Sequence, residues 1–399
     1  MSAAALALLV AAGPALHVDV DVLARLAPRT LVVRGAGIVR SIAARGGEVL
    51  VDGRPAPALR LAAGSWSVEV PGAPARAYEG ALAFRARDGV LAIRATLDLE
   101  RYVGGVVASE ALPGTPGAAL EALAVAVRSY ALASRDRHPG GGLCDLAHCQ
   151  LLRAEGIAAS HRAAAARAAR ATAGEVLVLG SGEIAAAAFH ASCGGHTAEA
   201  REVFGSDRSG GRATADPGCE GAEWRAEVEP AALAIAVRRA LGSDPRAAAI
   251  PAELRARDLA LARGAGGFVV RVEGADGSWR LSGDAFARAL DAAVGRGKVR
   301  SARLAMEDRG PRVVVRGSGH GHGVGLCLAG AARRAAQGES RREILGRYYR
   351  ERVSTVERLS ARLGRIPGEE PGSRNPGAIR PPTLQGPTEA TYWISVLLF

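Results

Sequence analysis

The acidic residue best placed for acid–base chemistry is Glu110, in the segment VVASEALPG. An apolar run ends at Ser109 and Glu110, directly before a Pro/Gly turn. A carboxylate at the end of a buried apolar segment loses hydration, which raises its pKa toward the range of a general acid. The alternative is a glutamate in the first turn of the following structure, where it would cap a helix beside Ser109. The local sequence by itself favours the cap.

An arginine lies one helix further along the chain, in the apolar stretch VAVRSYAL. A guanidinium on a buried face needs acceptors, so Arg128 should reach a carboxylate or a backbone carbonyl. Glu110 is one candidate partner and Glu121 is another. The alternative is a surface arginine at the edge of the helix, in keeping with a chain that contains 51 Lys and Arg residues.

Five cysteines form a second set of reactive side chains. Cys144 and Cys149 bracket His148 in LCDLAHCQ, and Cys193 lies in HASCGGHT. Thiolates and imidazoles this close could converge on a tetrahedral zinc ion, although the spacing is not that of a zinc finger. Two disulfides with Cys327 left over are an equal alternative in an exported chain, and buried thiols are a third. The disulfide candidates are Cys193 and Cys219.

A glycine-rich loop, GSGHGHGVG at residues 317–325, carries two histidines. Glycines at alternate positions remove side chains, so the backbone can approach a ligand closely while His320 and His322 project from it. Such a loop suits polar substrate binding or a pair of metal ligands. The alternative is a glycine-rich bend at a strand end with one buried histidine. No Gly-Lys-Ser/Thr follows, so the segment is not a phosphate-binding loop.

The elements that must position these residues change in character along the chain. Short alternating runs such as HVDVDVL and RTLVVRG predict a β-rich region over residues 17–96. From residue 102 the apolar period is helical, which predicts helices at 118–133 and 160–172. The first of these should bury one stripe, formed by Leu120, Leu123, Ala124, Val127 and Ala131.

Further strands are expected at EVLVLG, IAAAAFHAS and RVVVRG, and a closing helix at 329–349. The predicted fold class is therefore α+β, with a β-rich N-terminal region followed by a mixed helix and strand catalytic core over residues 97–355. A groove is expected between the Glu110 turn and the His320/His322 loop.

The net charge of +11 and the pI near 10.2 favour an acidic partner, such as nucleic acid, an anionic membrane surface or a carboxylate-bearing wall polymer. The 4% aromatic content and the even scatter of arginine argue against nucleic acid. Residues 1–16 have the length and apolarity of a signal-peptide core, although a charged segment before it is missing, and predict export. Residues 365–399, rich in Pro, Gly and Glu, predict a disordered tail.

Taken in order, these segments resemble the stage II sporulation protein D family, which includes the amidase-enhancer proteins. Several blocks in the same order are far more specific than any one of them. The resemblance runs from about residue 97 to residue 349, through LDLERYVGGVVASEALPG, ALEALAVAVRSYALASR, LCDLAHCQ, ATAGEVLVL, FHASCGGHT, GSGHGHGVGLCLAGA and EILGRYY.

The resemblance implies the chemistry of a lytic transglycosylase acting on glycan strands stripped of their stem peptides. One glutamate protonates the glycosidic oxygen next to N-acetylmuramic acid, and then accepts the proton of the C6 hydroxyl as it closes onto C1. No second carboxylate is needed to activate water. Glu110 would be that acid, and Arg128 would orient or polarise the site. The substrate-binding residues would be Tyr130, Gln150, His320, His322 and Gly323.

The resemblance implies no required cofactor, although Cys144, His148 and Cys149 match a segment that in some members resembles a zinc site. The expected partners are peptidoglycan glycan strands and an N-acetylmuramoyl-L-alanine amidase. Leu123 and Leu328 depart from the family, which usually carries glutamine at both positions. Leucine removes a donor and an acceptor, so the second hypothesis is an amidase enhancer that binds glycan without cleaving it.

Overall fold

The computed structural model describes residues 16–153 and 156–350 and the backbone of residues 352–355. The described chain divides into two compact units. The first contains the residues up to Val103 together with Arg135–Asp145. The second contains Gly104–Ser134, Leu146–Arg153 and the chain from Ile157 onward.

The first unit is built on a nine-stranded sheet with the order β5-β4-β3-β2-β6-β7-β8-β1-β9. Its neighbours are antiparallel except β1 and β9, which are parallel. Apolar side chains alternate with exposed ones along β1, where Val18, Val20 and Val22 are buried; this period of two is what a sheet with one covered face requires. The strands are β1 (His17–Val22), β2 (Thr30–Gly35), β3 (Ile38–Arg45), β4 (Glu48–Val51), β5 (Arg54–Ala56), β6 (Leu59–Glu69), β7 (Arg76–Arg87), β8 (Val90–Asp98) and β9 (Leu143–Cys144).

The second unit mixes helices with short sheets, and helix α1 crosses the boundary between the units. The helices are α1 (Leu99–Glu110), α2 (Gly117–Ala133), α3 (Ala159–Ala171), α4 (Ala200–Phe204), α5 (Pro230–Leu241), α6 (Gly283–Val294), α7 (Leu328–Ala336) and α8 (Arg341–Tyr348). The strands are β10 (Glu175–Val178), β11 (Phe189–His190), β12 (Glu223–Val228), β13 (Leu259–Arg263), β14 (Val269–Gly274), β15 (Arg280–Ser282), β16 (Leu304–Arg309), β17 (Arg312–Ser318), β18 (Leu326–Cys327) and β19 (Arg352–Thr355). The α+β class and the β-rich N-terminal region are confirmed.

Strand pairing in the second unit is local. The antiparallel sets are β12-β17-β16, β13-β14-β15 and β10-β19, whereas β11 and β18 are parallel. Trp224, Phe268, Phe286 and Val313 belong to the apolar cluster under these sheets. The predicted strands at EVLVLG and RVVVRG are confirmed as β10 and β17. IAAAAFHAS forms a strand only at Phe189–His190.

Helix α2 confirms the predicted helix at 118–133, but it is buried around most of its circumference. α3, β10, α7 and α8 all pack against it. A single apolar stripe would not suit such a position, since a helix covered on several sides needs apolar residues on several faces. The five predicted stripe residues are buried, and so are Ala119, Ala122, Val125 and Ala126.

The predicted single helix at 329–349 is wrong, because the structure has two helices there, α7 and α8. Gly338, between them, has φ of +90°, a conformation that ends a helix and favours glycine. Ser340 then starts α8 with a capping box, in which the Glu343 carboxylate accepts from the Ser340 N–H at 2.8 Å.

Arg128 is fully buried on α2, and its guanidinium donates to backbone carbonyls near the end of α3 and at the start of β10. The acceptors include the carbonyl oxygens of Ala169 and Glu175, each at 3.0 Å. The last carbonyls of a helix lack partners within that helix, and the Ala169 carbonyl accepts from Arg128 as well as from the Thr172 N–H at 3.3 Å. The predicted backbone-carbonyl partner is confirmed, and the alternative of a surface arginine is wrong. Glu121, the other candidate, accepts from Arg341 at 3.2 Å.

Two predicted terminal segments fall outside the described residues: the candidate signal peptide at 1–16, apart from Leu16, and the tail at 365–399. Among the helices that the structure describes, none combines the length and the apolarity needed to cross a bilayer.

Replacing Arg128 should destabilise the second unit. Arg128→Met removes the guanidinium hydrogen bonds to the Ala169 and Glu175 carbonyls in the core, which should lower the free energy of unfolding by about 2–4 kcal/mol. The control is Arg167→Met, which changes an exposed arginine on α3. It should lower the free energy of unfolding by less than about 0.5 kcal/mol. Chemical denaturation of both variants measures the difference, and equal effects would contradict a structural function for Arg128.

Candidate functional site

Glu110 is the last residue of α1, and only 9% of its surface is exposed. The sequence favoured a glutamate in the first turn of the next structure, and this interpretation is wrong. An acidic side chain at the C-terminal end of a helix faces the negative end of the helix dipole, so the helix itself disfavours the ionised form.

A short segment, residues 150–153, lies against the end of α1. The N–H of Leu151 donates to Glu110 Oε1 at 2.9 Å. The N–H of Arg153 donates to Ser109 Oγ at 2.8 Å, and the Ser109 hydroxyl lies 2.8 Å from the Arg153 carbonyl oxygen. Two successive residues of α1 are thus held against this segment, which orients the Glu110 carboxyl group.

Burial raises the pKa of Glu110 from 4.5 to about 7. The hydrogen bond from Leu151 and the positive charge of Arg153 act in the opposite direction, and burial outweighs both. The predicted desolvation of this carboxyl group is confirmed. A carboxylic acid with a pKa near neutrality can give up a proton and take it back at neutral pH, as a general acid and base must.

Tyr130 and Gln150, two predicted substrate-binding residues, hold the chain next to Glu110. The Gln150 side-chain amide is buried and donates to the Val127 carbonyl on α2 at 3.2 Å. The Tyr130 hydroxyl donates to the His148 carbonyl at 3.3 Å. These bonds give both side chains a positioning function for residues 148–153, and sugar binding by them stays a prediction.

The glycine/histidine loop packs tightly against its own protein. Gly323 has φ of +79°, and a Cβ atom there would collide with the Phe268 ring. His322 Nδ1 accepts from the Val324 N–H at 3.0 Å, which leaves Nε2 to carry the proton of the neutral ring. Burial lowers the pKa of His320 and of His322, so both rings are held toward the neutral form at neutral pH.

A third histidine, His190, was missed by the sequence analysis, although it precedes the quoted cysteine in FHASCGGHT. His190 is buried on β11, and burial lowers its pKa to about 3. Its ring centroid lies 5.7 Å from that of His322, and its Nδ1 lies 3.1 Å from the Val324 carbonyl oxygen. The loop is therefore closely packed, as expected for the alternative that the sequence left open, a glycine-rich bend at a strand end. The expected groove between the Glu110 turn and this loop stays a prediction.

All five cysteines lie in the described part of the chain, where each is buried and none forms a disulfide. The candidate pair Cys193 and Cys219 is therefore not bridged in this structure. The zinc prediction for Cys144, His148 and Cys149 stays a prediction.

Comparison with known proteins identifies one family. Residues 87–179 match the family model SpoIID, described as stage II sporulation protein. The matched segment contains Glu110, Arg128, Tyr130 and Gln150, whereas the glycine/histidine loop lies beyond it. No curated protein matches the chain. The family resemblance inferred from the sequence is confirmed.

The raised pKa of Glu110 predicts a particular dependence of stability on pH. Between about pH 4.5 and 7 the folded protein keeps a proton on Glu110 that the unfolded chain has lost. Stability from this group should therefore be fully present below about pH 4.5, fall as pH rises, and reach its lowest value above about pH 7, a total loss of about 3 kcal/mol.

Glu110→Gln should remove this dependence, because an amide does not titrate and can still accept from Leu151. Denaturation of both proteins at several pH values isolates the contribution of Glu110, since the other titrating groups cancel in the difference. A difference in unfolding free energy that stays constant from about pH 4.5 to 7 would contradict the raised pKa.

Proposed function

From the stage II sporulation protein domain at residues 87–179, which belongs to a cell-wall-associated family, we propose that this chain is a lytic transglycosylase. Its substrate would be denuded peptidoglycan glycan strands, cleaved between N-acetylmuramic acid and N-acetylglucosamine. The observation that carries the proposal is the buried Glu110, which lies inside the matched segment and has a pKa of about 7.

Glu110 acts first as an acid. Its carboxyl proton passes to the glycosidic oxygen as the bond from that oxygen to C1 of N-acetylmuramic acid breaks, and positive charge develops at C1. The carboxylate left behind then takes the proton of the C6 hydroxyl while that oxygen bonds to C1. The product carries a 1,6-anhydro end, and Glu110 returns to its protonated form, so no second carboxylate is needed to activate water.

The surroundings of Glu110 suit both steps. Burial keeps the carboxyl group protonated before bond cleavage. The Leu151 N–H and the charge of Arg153 favour the ionised form, which exists between the two steps. A pKa near 7 keeps the free-energy difference between the two forms small at neutral pH, so neither transfer is strongly uphill.

The charge of the chain fits a polyanionic surface outside the cytoplasm. A net charge of +11 would concentrate the protein on carboxylate-bearing wall polymers or on an anionic membrane surface. Export to the cell envelope is part of the proposal, and an N-acetylmuramoyl-L-alanine amidase that removes stem peptides would supply the denuded strands. The chemistry assigned to Glu110 requires no cofactor.

The second candidate function is an amidase enhancer that binds glycan without cleaving it. The observation that favours it is leucine at positions 123 and 328, where the family resemblance implies glutamine, since leucine has neither a donor nor an acceptor. Leu123 is only 1% exposed within the packing around α2. Leu328, the other departure from the family, begins α7 and is half-buried.

The purified full chain should convert denuded glycan into fragments with anhydro ends, detected by mass spectrometry. Glu110→Gln should reduce this rate at least about 100-fold, because the amide cannot transfer the proton. Glu183→Gln, which changes an exposed carboxylate in the same unit, should retain the wild-type rate. Circular dichroism confirms that both variants are folded.

The products separate the two candidate functions. Wild-type protein that binds the glycan and stimulates an amidase but forms no anhydro ends would contradict transglycosylation and support the enhancer. Fragments with reducing, hydrated ends would instead indicate hydrolysis. Retained activity in Glu110→Gln would assign the catalytic acid to another residue.

A further inference from the structure

A cluster of four ligand-type side chains lies in the second unit, apart from the residues assigned to glycan cleavage. Its members are Cys193, Asp216, Cys219 and Cys327. One ligand atom from each lies within 4.8 Å of the others, and all four residues are buried. This group is called the thiol cluster below.

The thiol cluster joins segments far apart in the sequence. Cys193 follows β11, Asp216 and Cys219 lie in the turns before β12, and Cys327 ends β18 and caps the start of α7. A carboxylate buried among three thiols needs charged or hydrogen-bonding partners.

We propose that the thiol cluster is a structural zinc site in which Cys193, Cys219, Cys327 and Asp216 are the four ligands. Three sulfurs and one carboxylate oxygen form a closed set for a tetrahedral ion, and thiolates are the ligands that favour zinc over magnesium or calcium. This set differs from Cys144, His148 and Cys149, for which the sequence predicted zinc.

Hydrogen bonds to the sulfurs suit thiolate ligands. The Cys193 N–H and the Gly330 N–H each donate to Cys327 Sγ at 3.3 Å. The second of these comes from the first turn of α7, whose positive dipole end favours a negative sulfur. Ser192 Oγ lies 3.5 Å from Cys219 Sγ. Donors of this kind orient and stabilise metal-bound groups.

The charges around Asp216 also balance with a dication in place. Asp216 Oδ1 accepts from Arg334 at 2.9 Å and from Arg333 at 3.2 Å, and Oδ2 accepts from the Tyr348 hydroxyl at 2.8 Å. The four ligands carry four negative charges as three thiolates and one carboxylate; one zinc ion and the two guanidinium groups supply four positive charges, and Arg334 also pairs with Glu339 at 3.2 Å. Oδ2 also lies 3.4 Å from Cys193 Sγ, so the carboxylate faces the sulfurs.

A disulfide is the competing use of these thiols. Cys219 Sγ and Cys327 Sγ are 3.5 Å apart, well beyond the bonded distance of about 2.05 Å. A bond between them would leave Cys193 as a single thiol beside the Asp216 carboxylate, 3.4 Å away. A metal ion uses all four groups, and the proposal therefore favours zinc.

The consequence of zinc binding would be a rigid support for the glycine/histidine loop. Ser192, next to Cys193, exchanges two backbone hydrogen bonds with His320, at 2.7 Å and 3.1 Å. The Gly319 N–H donates to the Ala222 carbonyl at 2.9 Å, three residues beyond Cys219. Metal binding at the thiol cluster would thus fix the two segments that hold this loop.

The test measures zinc in the purified full chain by elemental analysis. Cys144→Ser/Cys149→Ser provides the background, because it removes the two thiol ligands of the other candidate zinc set, in LCDLAHCQ. This background should retain about one zinc per chain. Adding Cys327→Ser should reduce the zinc to less than about a tenth of that value, and should lower the melting temperature.

Cobalt adds a spectroscopic measurement of sulfur ligation to the zinc content. Wild-type protein loaded with cobalt(II) should show a sulfur-to-metal charge-transfer band, and Cys193→Ser should weaken it in the same background. Zinc content unchanged by Cys327→Ser would overturn the proposal. So would a wild-type mass, after alkylation without reduction, that reveals a bond between Cys219 and Cys327. Neither result bears on glycan cleavage by Glu110, which is measured separately.

Discussion

The burial of one carboxyl group at the end of a helix is the constraint around which the candidate site is arranged. Glu110 ends α1, where both desolvation and the helix dipole oppose its ionisation. A buried carboxyl group needs hydrogen-bonding partners in fixed positions. The Leu151 N–H and the Ser109–Arg153 bonds supply them, and they hold residues 150–153 in one conformation. Acid–base capacity and local rigidity therefore arise from the same contacts.

Helix α2 supports the site because its neighbours cover it on several sides. Hydrogen bonds of its polar groups connect it to adjacent elements. Arg128 binds the end of α3, and Gln150 binds the Val127 carbonyl of α2. Arg341 of α8 adds a further connection, with acceptors on Glu121 at 3.2 Å and on Glu175 at 2.8 Å. A substitution in α2 should therefore alter the packing of residues 150–153, next to Glu110, as well as that of the core.

The sequence predicted the helices and strands that have a clear period, and it failed where the backbone leaves that period. α2 and β10 were found because long or β-branched apolar runs have a characteristic spacing. The break between α7 and α8 was missed, although Gly338 and Ser340 are the residues that end one helix and cap the next. Glu110 was placed at the wrong end of a helix, because a cap is judged from local residues while burial depends on the whole unit.

By itself, the sequence determined the α+β class, the β-rich start and the family resemblance, since these depend on patterns along the chain. It also singled out Glu110 and its raised pKa, because an apolar flank already implies desolvation. The tertiary structure decided which groups meet. Arg128 donates to backbone carbonyls. Asp216, which the sequence analysis did not single out, lies beside three cysteines from distant segments. These contacts depend on chain topology, which local residue spacing does not encode.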